Sequence, residues 1–461
     1  MTSLSRRALL TGVAGSALVA ALPRSLSPLP TSLAEALRRP DSRPDPHRPP
    51  GTPDPRIPIE HVVVVMMENH SFDNYFGMLP LQGRRAADGF RFDRRGLPTA
   101  MNPTATGRPV RAFRMPSYCQ PEHEPDQSWN GTHRSVDGGR MDGFVRVSGD
   151  VAMGYWDRDD IPFYYSLAST FPLANRWFAS APCQTYPNRR FLQAATAYGL
   201  VSSSLPGPND PPPPNGTIFD RLNSYNISWT NYFTDLPQVA IIPDTVKRNP
   251  QHLQPIAKFY ADCATGQLPA VSFVDPDFGL ADAIGGRAPD GTPVETLDAQ
   301  GQDEENPQNI RYGEQFVAQV VNAVMSSPAW PKTLLLWVYD EHGGYYDHVP
   351  SPRAVAPDRI KPQLQAGDVR GGYDMYGVRV PAVVVSPWAR RDHVSGVVHD
   401  HTSFLAFVER KWNLPALTYR DANAAPMLDF LDFRRPAFLE PPALAAAPLP
   451  FGGRGCTTAS P

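Results

Sequence analysis

The chain has 461 residues, with 43 Lys and Arg against 46 Asp and Glu and a formal net charge of -3. Nothing in that balance points to nucleic acid or an anionic surface as a partner. Hydrophobic residues make up 41% and charged residues 19%. That is the balance of a globular protein, long enough for one elaborated α/β domain or two smaller ones. The four cysteines have no CxxC or zinc-finger spacing, which argues against a thiolate metal site and leaves any disulfide pairing open.

The first stretch, MTSLSRRALLTGVAGSALVAALP, pairs Arg6 with Arg7 ahead of an apolar run from Ala8 to Leu22. The run falls short of the ~20 residues that span a bilayer. It resembles a twin-arginine signal, so residues 1–34 are expected to address the chain to the twin-arginine export machinery, with cleavage after Ala34 or near Ala21. The expected location is secreted or cell-envelope. No later segment is long and apolar enough to span a membrane. Proline is frequent, at 53 residues, and it cannot donate to a helix or sheet ladder. Residues 35–58 accordingly read as a Pro-rich linker, and PGPNDPPPPNG (206–216) as a surface loop.

Next comes HVVVVMMENHSFDNYFG. An oily strand, His61–Met67, runs directly into Glu68 and Asn69. Apolar runs at 270–274, 333–339 and 380–386 read as further buried strands of the parallel-sheet kind. IFDRLNSYNISWTNYF reads as helix, turn at Tyr225 and Asn226, then strand. NIRYGEQFVAQVVNAVMSS carries a helical stripe of Phe316, Val317, Val320, Val321 and Val324. HTSFLAFVERKWNL does the same, with Thr402 or Ser403 as its cap. The alternation predicts an α/β sandwich, whose ligands bind beyond the carboxyl ends of its strands. Asp340 and Glu341 follow one such end and Glu68 and Asn69 another. Two pairs of oxygen donors so placed can converge on one divalent cation, whether Ca²⁺, Mn²⁺, Mg²⁺ or Zn²⁺.

In SAPCQTYPNRRF, Pro187 suits the first turn of a helix, which sets Thr185 at or just before the helix N-terminus. Unpaired N–H groups there favour an alkoxide or a phosphate oxygen. Taken alone, Thr185 also reads as a simple cap.

The stretches MMENHSFDNYFG, QTYPNRRF, YDEHGGYYDHVPSP and HDHTSFLAFVERKWNLP, with GGRMDGF and MGYWDRDDIPFYY, resemble the bacterial phospholipase C and acid phosphatase family, within the alkaline phosphatase superfamily. The resemblance runs from about His61 to Ala425. It implies an alkaline phosphatase-like α/β sandwich with a central, mostly parallel sheet and a capping insertion between about Gly83 and Tyr165. The catalytic domain is then 59–440, followed by a flexible tail, 441–461. It further implies Thr185 as nucleophile and one divalent metal held by Glu68, Asn69, Asp340 and Glu341, with the Thr185 hydroxyl completing the shell. His401 is open between orienting a ligand and direct catalysis. Asn188 and Arg189 flank the nucleophile as substrate-binding candidates, and Arg189 is equally placed to anchor the helix. In two places the chain departs from the family pattern, with Gln127 and Glu305 standing where histidines facing the phosphate are expected. His123 and His133 are the candidate substitutes. His348 reads as structural.

The expected activity is phospholipase C-type hydrolysis of a phospholipid phosphodiester through a phosphothreonine intermediate. The alternatives are an acid phosphatase-type phosphomonoesterase and a weakened lipid- or phosphate-binding surface protein. The export reading has its own test. Replacing Arg6 and Arg7 together with lysine should leave the precursor in the cytoplasm, assayed by cell fractionation. Unchanged export would remove the twin-arginine reading.

Overall fold

Six consecutive apolar residues can be buried only if both faces of their strand are covered, and the two longest strands meet that condition. In the computed structural model, described for residues 37–120, 125–204, 206–207, 212–279, 301–306 and 308–450, β1 (His61–Met67) is buried from its second residue onward. Thr333–Tyr339 is buried throughout. Residues 1–34, expected to be the signal segment, His123 and residues 451–461 lie outside the described residues.

Among the described residues, eight strands form the main sheet. After β1 come β2 (Leu173–Ala174), β3 (Trp229–Phe233), β4 (Leu253–Pro255), β5 (Val271–Val274), β6 (Thr333–Tyr339), β7 (Ala382–Val385) and β8 (Val394–Ser395). Their spatial order is β8-β2-β7-β6-β1-β5-β3-β4. All pairings are parallel except those of β7 with β6 and with β2. The mostly parallel sheet expected from sequence is therefore present. The apolar run at 380–386, however, gives a strand of reversed direction, which composition cannot distinguish because a central antiparallel strand is equally oily.

Register does the work of assembling the strand ends. β1 and β6 pair in parallel from His61 opposite Thr333 to Met67 opposite Tyr339. The residues that follow, Glu68 and Asp340, therefore emerge side by side. β5 lies on the other flank of β1, with Val65 opposite Val274.

Three helices matter most for the site: α1 (Thr185–Ala194), α2 (Ile310–Met325) and α3 (His401–Trp412). The predicted stripe of α2 is buried, and its Asn309 cap accepts from the Arg311 N–H at 3.0 Å. α3 packs against α1. Its cap is Asp400, two positions earlier than the nearer of the two expected residues. Ser403 takes part by accepting from the Asp400 N–H at 3.2 Å. The helix and strand predicted around Tyr225 and Asn226 form as Ile218–Ser224 and β3, with Asn226 left-handed at φ 55°.

The segment 38–58 lies along the C-terminal end of α3. Asn413, the residue that ends α3, donates through Nδ2 to the carbonyls of Asp45, Arg48 and Pro49. The Asp54 N–H donates to the Lys411 carbonyl at 2.6 Å. The segment between Gly83 and Tyr165 contributes two small strand pairs and the helix Trp129–Val136. Cys119 is disulfide-bonded, while Cys183 and Cys263 are buried free thiols.

A second polar cluster braces the loop after β6. Arg379, fully buried, donates to both Asp73 and Asp347. His348 sits between Asp73 at 2.7 Å and Asp88 at 3.4 Å. Burial works against a charge on His348, but the charge and hydrogen bond of Asp73, helped by Asp88 and Asp347, raise its pKa to about 10. This agrees with a structural role. A histidine whose folded pKa is raised stabilises the fold fully below its unfolded value of ~6.5 and loses that contribution as pH rises through the folded value. Urea midpoints should therefore fall between neutral pH and about 10. His348→Gln should flatten that decline. A wild-type and variant pair with parallel profiles would remove His348 as its source.

Candidate active site

Beyond the carboxyl ends of β1 and β6 lies a cavity of about 530 Å³. Glu68, Gln127, Thr185, Arg189, Asp303 and Glu305 line its polar side. Leu236, Pro237, Ala240, Ile241 and Phe278 line an apolar side.

Thr185 is the first residue of α1, with Gln184 as the N-cap. It is thus not the cap but the residue just inside it, where N–H groups lack intrahelical acceptors. Pro187 falls in the same first turn. Asn188 holds this corner in shape. Its Oδ1 accepts from the Ala181 N–H at 2.9 Å, and its Nδ2 donates to the carbonyls of Cys183 and Gln184 at 2.7 and 3.0 Å. Asn188 is buried and absent from the cavity wall, so the structure gives it a positioning place rather than a substrate contact.

Asn69 takes a left-handed backbone, φ 68°, which turns the chain away at the end of β1. Its N–H donates to Asp340 Oδ1 at 3.3 Å, and its side-chain Oδ1 is buried without a donor. Asp340 Oδ1 also accepts from the Glu341 N–H at 2.6 Å. Glu341 Oε2 accepts from His342 Nδ1 and from the Gly343 N–H, both at 2.9 Å. Gly343 permits this packing, because a Cβ there would stand 2.0 Å from the Asn69 carbonyl oxygen.

The positive charge between the two strand ends is Arg189. Its guanidinium pairs with Glu68 Oε1 at 3.0 Å and Asp340 Oδ2 at 3.1 Å, and donates to the Met66 and Met67 carbonyls. Gln238 accepts a further N–H at 3.4 Å and is itself held by Asp275. Arg189 reaches the cavity wall as the sequence suggests, but this set of bonds makes it a bracket joining Glu68 and Asp340.

His401 lies behind the site. Its Nε2 donates to the Asp340 carbonyl at 2.7 Å, its Nδ1 accepts from Trp177 at 3.4 Å, and burial lowers its pKa to about 4. Both ring nitrogens are engaged away from the cavity, so direct catalysis does not fit its geometry, whereas orienting Asp340 does. His133 also misses the cavity, since its Nδ1 bonds the Trp129 carbonyl of its own helix.

Sequence reasoning missed Asp303. One carboxylate oxygen from each of Glu68, Asp303 and Glu305 lies within 4.8 Å of the others. Burial first, and then the neighbouring acids, push the Glu68 pKa well above the usual carboxylate range, although Arg189 opposes this. Burial and the charge of Glu68 do the same to Asp303. Buried carboxylates this close favour a cation among them, which restores their ionised form. The signal available in sequence was the acidic run Asp303-Glu304-Glu305, which reads as a solvated loop.

The middle residue of that run is the anchor. Glu304 is fully buried with φ 75°, and its carboxylate accepts from the hydroxyls of Tyr75 and Tyr164, both at 2.6 Å, and of Tyr339. Burial outweighs these three donors and pushes its pKa up to about 8. Its backbone carbonyl accepts from His70 Nε2 at 3.2 Å and from Gln120. A Cβ on Gly313 would stand 2.2 Å from Glu304 Cγ, so only glycine leaves room. Tyr339→Phe keeps the ring and removes one donor. Unfolding stability should fall by about 0.5–1.5 kcal/mol, the range for a hydrogen bond to an uncharged group, since a carboxyl with a pKa of about 8 is mostly protonated at neutral pH. An unchanged denaturant midpoint would show that this hydroxyl does not help hold the loop.

A non-specific phospholipase C6 of Arabidopsis thaliana is 30% identical over 408 residues, covering 81% of this chain and 72% of its own length. A non-hemolytic phospholipase C of Burkholderia pseudomallei is 30% identical over 470 residues, covering 92% of this chain and 63% of its own. Phospholipase C B of Mycobacterium tuberculosis is 29% identical, covering 82% and 78%. Among solved structures, an alkaline phosphatase superfamily protein from Vibrio parahaemolyticus aligns with TM-score 0.35 and 11% identity, covering 76% of this chain and 77% of its own. The model of the Phosphoesterase family matches residues 59–415. With its strand-end acids, its helix-start threonine and that match, the chain belongs to the phosphoesterase family, hydrolases of phosphoric ester bonds.

Proposed function

We propose that this protein is an exported phospholipase C that cleaves the headgroup phosphodiester of a phospholipid through a phosphothreonine intermediate. The observation that carries the reading is Thr185 at the first position of α1, on the wall of the same cavity as Glu68. The apolar side of that cavity suits the glycerolipid part of a substrate, while its polar side suits the phosphate. The three relatives named phospholipase C support the substrate class.

The Thr185 oxygen attacks phosphorus, and its proton leaves to solvent. The Thr185 O–P bond forms as the glycerol O–P bond breaks, and the diacylglycerol oxygen takes up a proton. Water then attacks phosphorus, the Thr185 O–P bond breaks, and the phosphorylated headgroup departs as threonine regains its proton. The N–H groups of the first turn of α1 face the charge that builds on the phosphoryl oxygens. Asn188 keeps that turn in place, Arg189 fixes Glu68 beside Asp340, and His401 holds the Asp340 backbone.

A divalent cation fits the oxygen donors at the strand ends, of which Asn69 Oδ1 is buried without a hydrogen-bond donor. Glu68, Asn69, Asp340 and Glu341 would hold it, together with the Thr185 hydroxyl. When bound, it supplies positive charge that lowers the pKa of the hydroxyl and offsets charge in the transition state.

Thr185→Ala is the deciding variant. Turnover of a chromogenic phosphodiester should fall by orders of magnitude with little change in unfolding temperature. Thr185→Ser should retain measurable activity. Near wild-type turnover in the alanine variant would refute the covalent step. Wild-type turnover of a phosphomonoester alone would instead support the acid phosphatase alternative, and no turnover of either with phospholipid still bound would support the binding protein.

A further inference from the structure

The strand-end set leaves part of the cavity's acidity unaccounted for. Asp303 and Glu305 face the same space as Glu68, and Arg189, paired with both Glu68 and Asp340, divides one positive charge between two carboxylates. Asp303 Oδ1 accepts from the Glu305 N–H at 3.2 Å, but its Oδ2 is buried with no hydrogen-bond donor. Gln127, also buried and on the same wall, has its side-chain Oε1 in the same condition. Two orphaned acceptors, one on a member of the three-carboxylate cluster and one on the same cavity wall, call for a positive group, since buried acceptors left unsatisfied cost about 1–3 kcal/mol each.

We propose that Glu68, Asp303, Glu305 and the Gln127 side-chain oxygen form a second site for a divalent cation, separate from the strand-end set and joined to it through Glu68. The donors are all oxygens, which select a hard ion such as Ca²⁺, Mn²⁺ or Mg²⁺ over one that prefers nitrogen or sulfur. The site itself does not depend on the threonine mechanism. Its consequence does rest on that reading: it turns a wall of carboxylates, which would repel a phosphate, into one that attracts it. Glu304 makes the arrangement possible, because its tyrosine-held side chain points into the core while both of its neighbours line the cavity.

The test is metal binding, read apart from turnover. Chelator-treated full-length protein is titrated with Mn²⁺ by calorimetry and by the paramagnetic resonance signal of free Mn²⁺. Wild type should show two classes of site. Glu305→Gln and Asp303→Asn should each weaken one class by at least about tenfold while the other persists. Asp340→Asn should remove the class that those variants leave. Glu305→His serves as a second probe, because an imidazole at this position should move the preference of the affected class toward Zn²⁺. Circular dichroism confirms that each variant is folded. Binding by Glu305→Gln and Asp303→Asn that matches wild type would overturn the proposal. So would a single class abolished alike by Asp340→Asn and Glu305→Gln, since one ion would then span both sets. Either result could stand beside intact, Thr185-dependent turnover, so failure of this site and failure of the proposed function are distinguishable.

Discussion

One buried carboxylate holds the active-site end of this molecule together. Glu304 receives hydroxyls from Tyr75, Tyr164 and Tyr339, and its carbonyl receives His70. Tyr339 is the last residue of β6, immediately before Asp340. His70 and Tyr75 follow Glu68 and Asn69 in the next few residues. The three chain segments that carry the cavity's acids are thus tied from behind to one side chain. Repulsion among Glu68, Asp303, Glu305 and Asp340 would otherwise drive those segments apart. The tie is satisfied locally by hydrogen bonds rather than by a cation.

Arg189 acts on that side in a complementary way. A guanidinium can serve two carboxylates and two carbonyls at once because its donors form a fixed planar fork. Here it spans the gap that parallel register creates between residues 68 and 340. Because α1 carries both Thr185 and Arg189, the bracket also fixes the helix start relative to the strand ends. The hydroxyl and the acids therefore share one rigid frame built from a helix and two neighbouring strands.

The sheet and the strand-end acids were legible in sequence because each depends on local pattern. An apolar run followed directly by Glu68 or Asp340 states both a buried strand and what lies at its end. The role of Asp303 was not legible, since nothing local separates Asp303-Glu304-Glu305 from a solvated acidic turn. Its meaning comes from tyrosines 35 to 229 residues away in the chain. His401 was ambiguous for a related reason. Its place at a helix start near the site could be read, but the direction of its Nε2, toward the Asp340 carbonyl, is a fact of packing. The reversed strand β7 belongs here too, because direction is set by connections and not by side-chain character.

The contacts of Asn413 with the Pro-rich segment carry a consequence for how the chain reaches its final form. Asp45 and Asn413 are 368 positions apart, yet they bond at the end of the helix whose first residue, His401, touches Asp340. The beginning and the end of the domain must therefore meet before α3 is secured at both ends. Closing so long a loop is entropically costly and slow compared with local structure formation. During synthesis, the segment that leaves the ribosome among the first must wait for nearly the whole domain to emerge. Until then α3, whose first residue bonds the Asp340 carbonyl, is held at its N-terminal end alone.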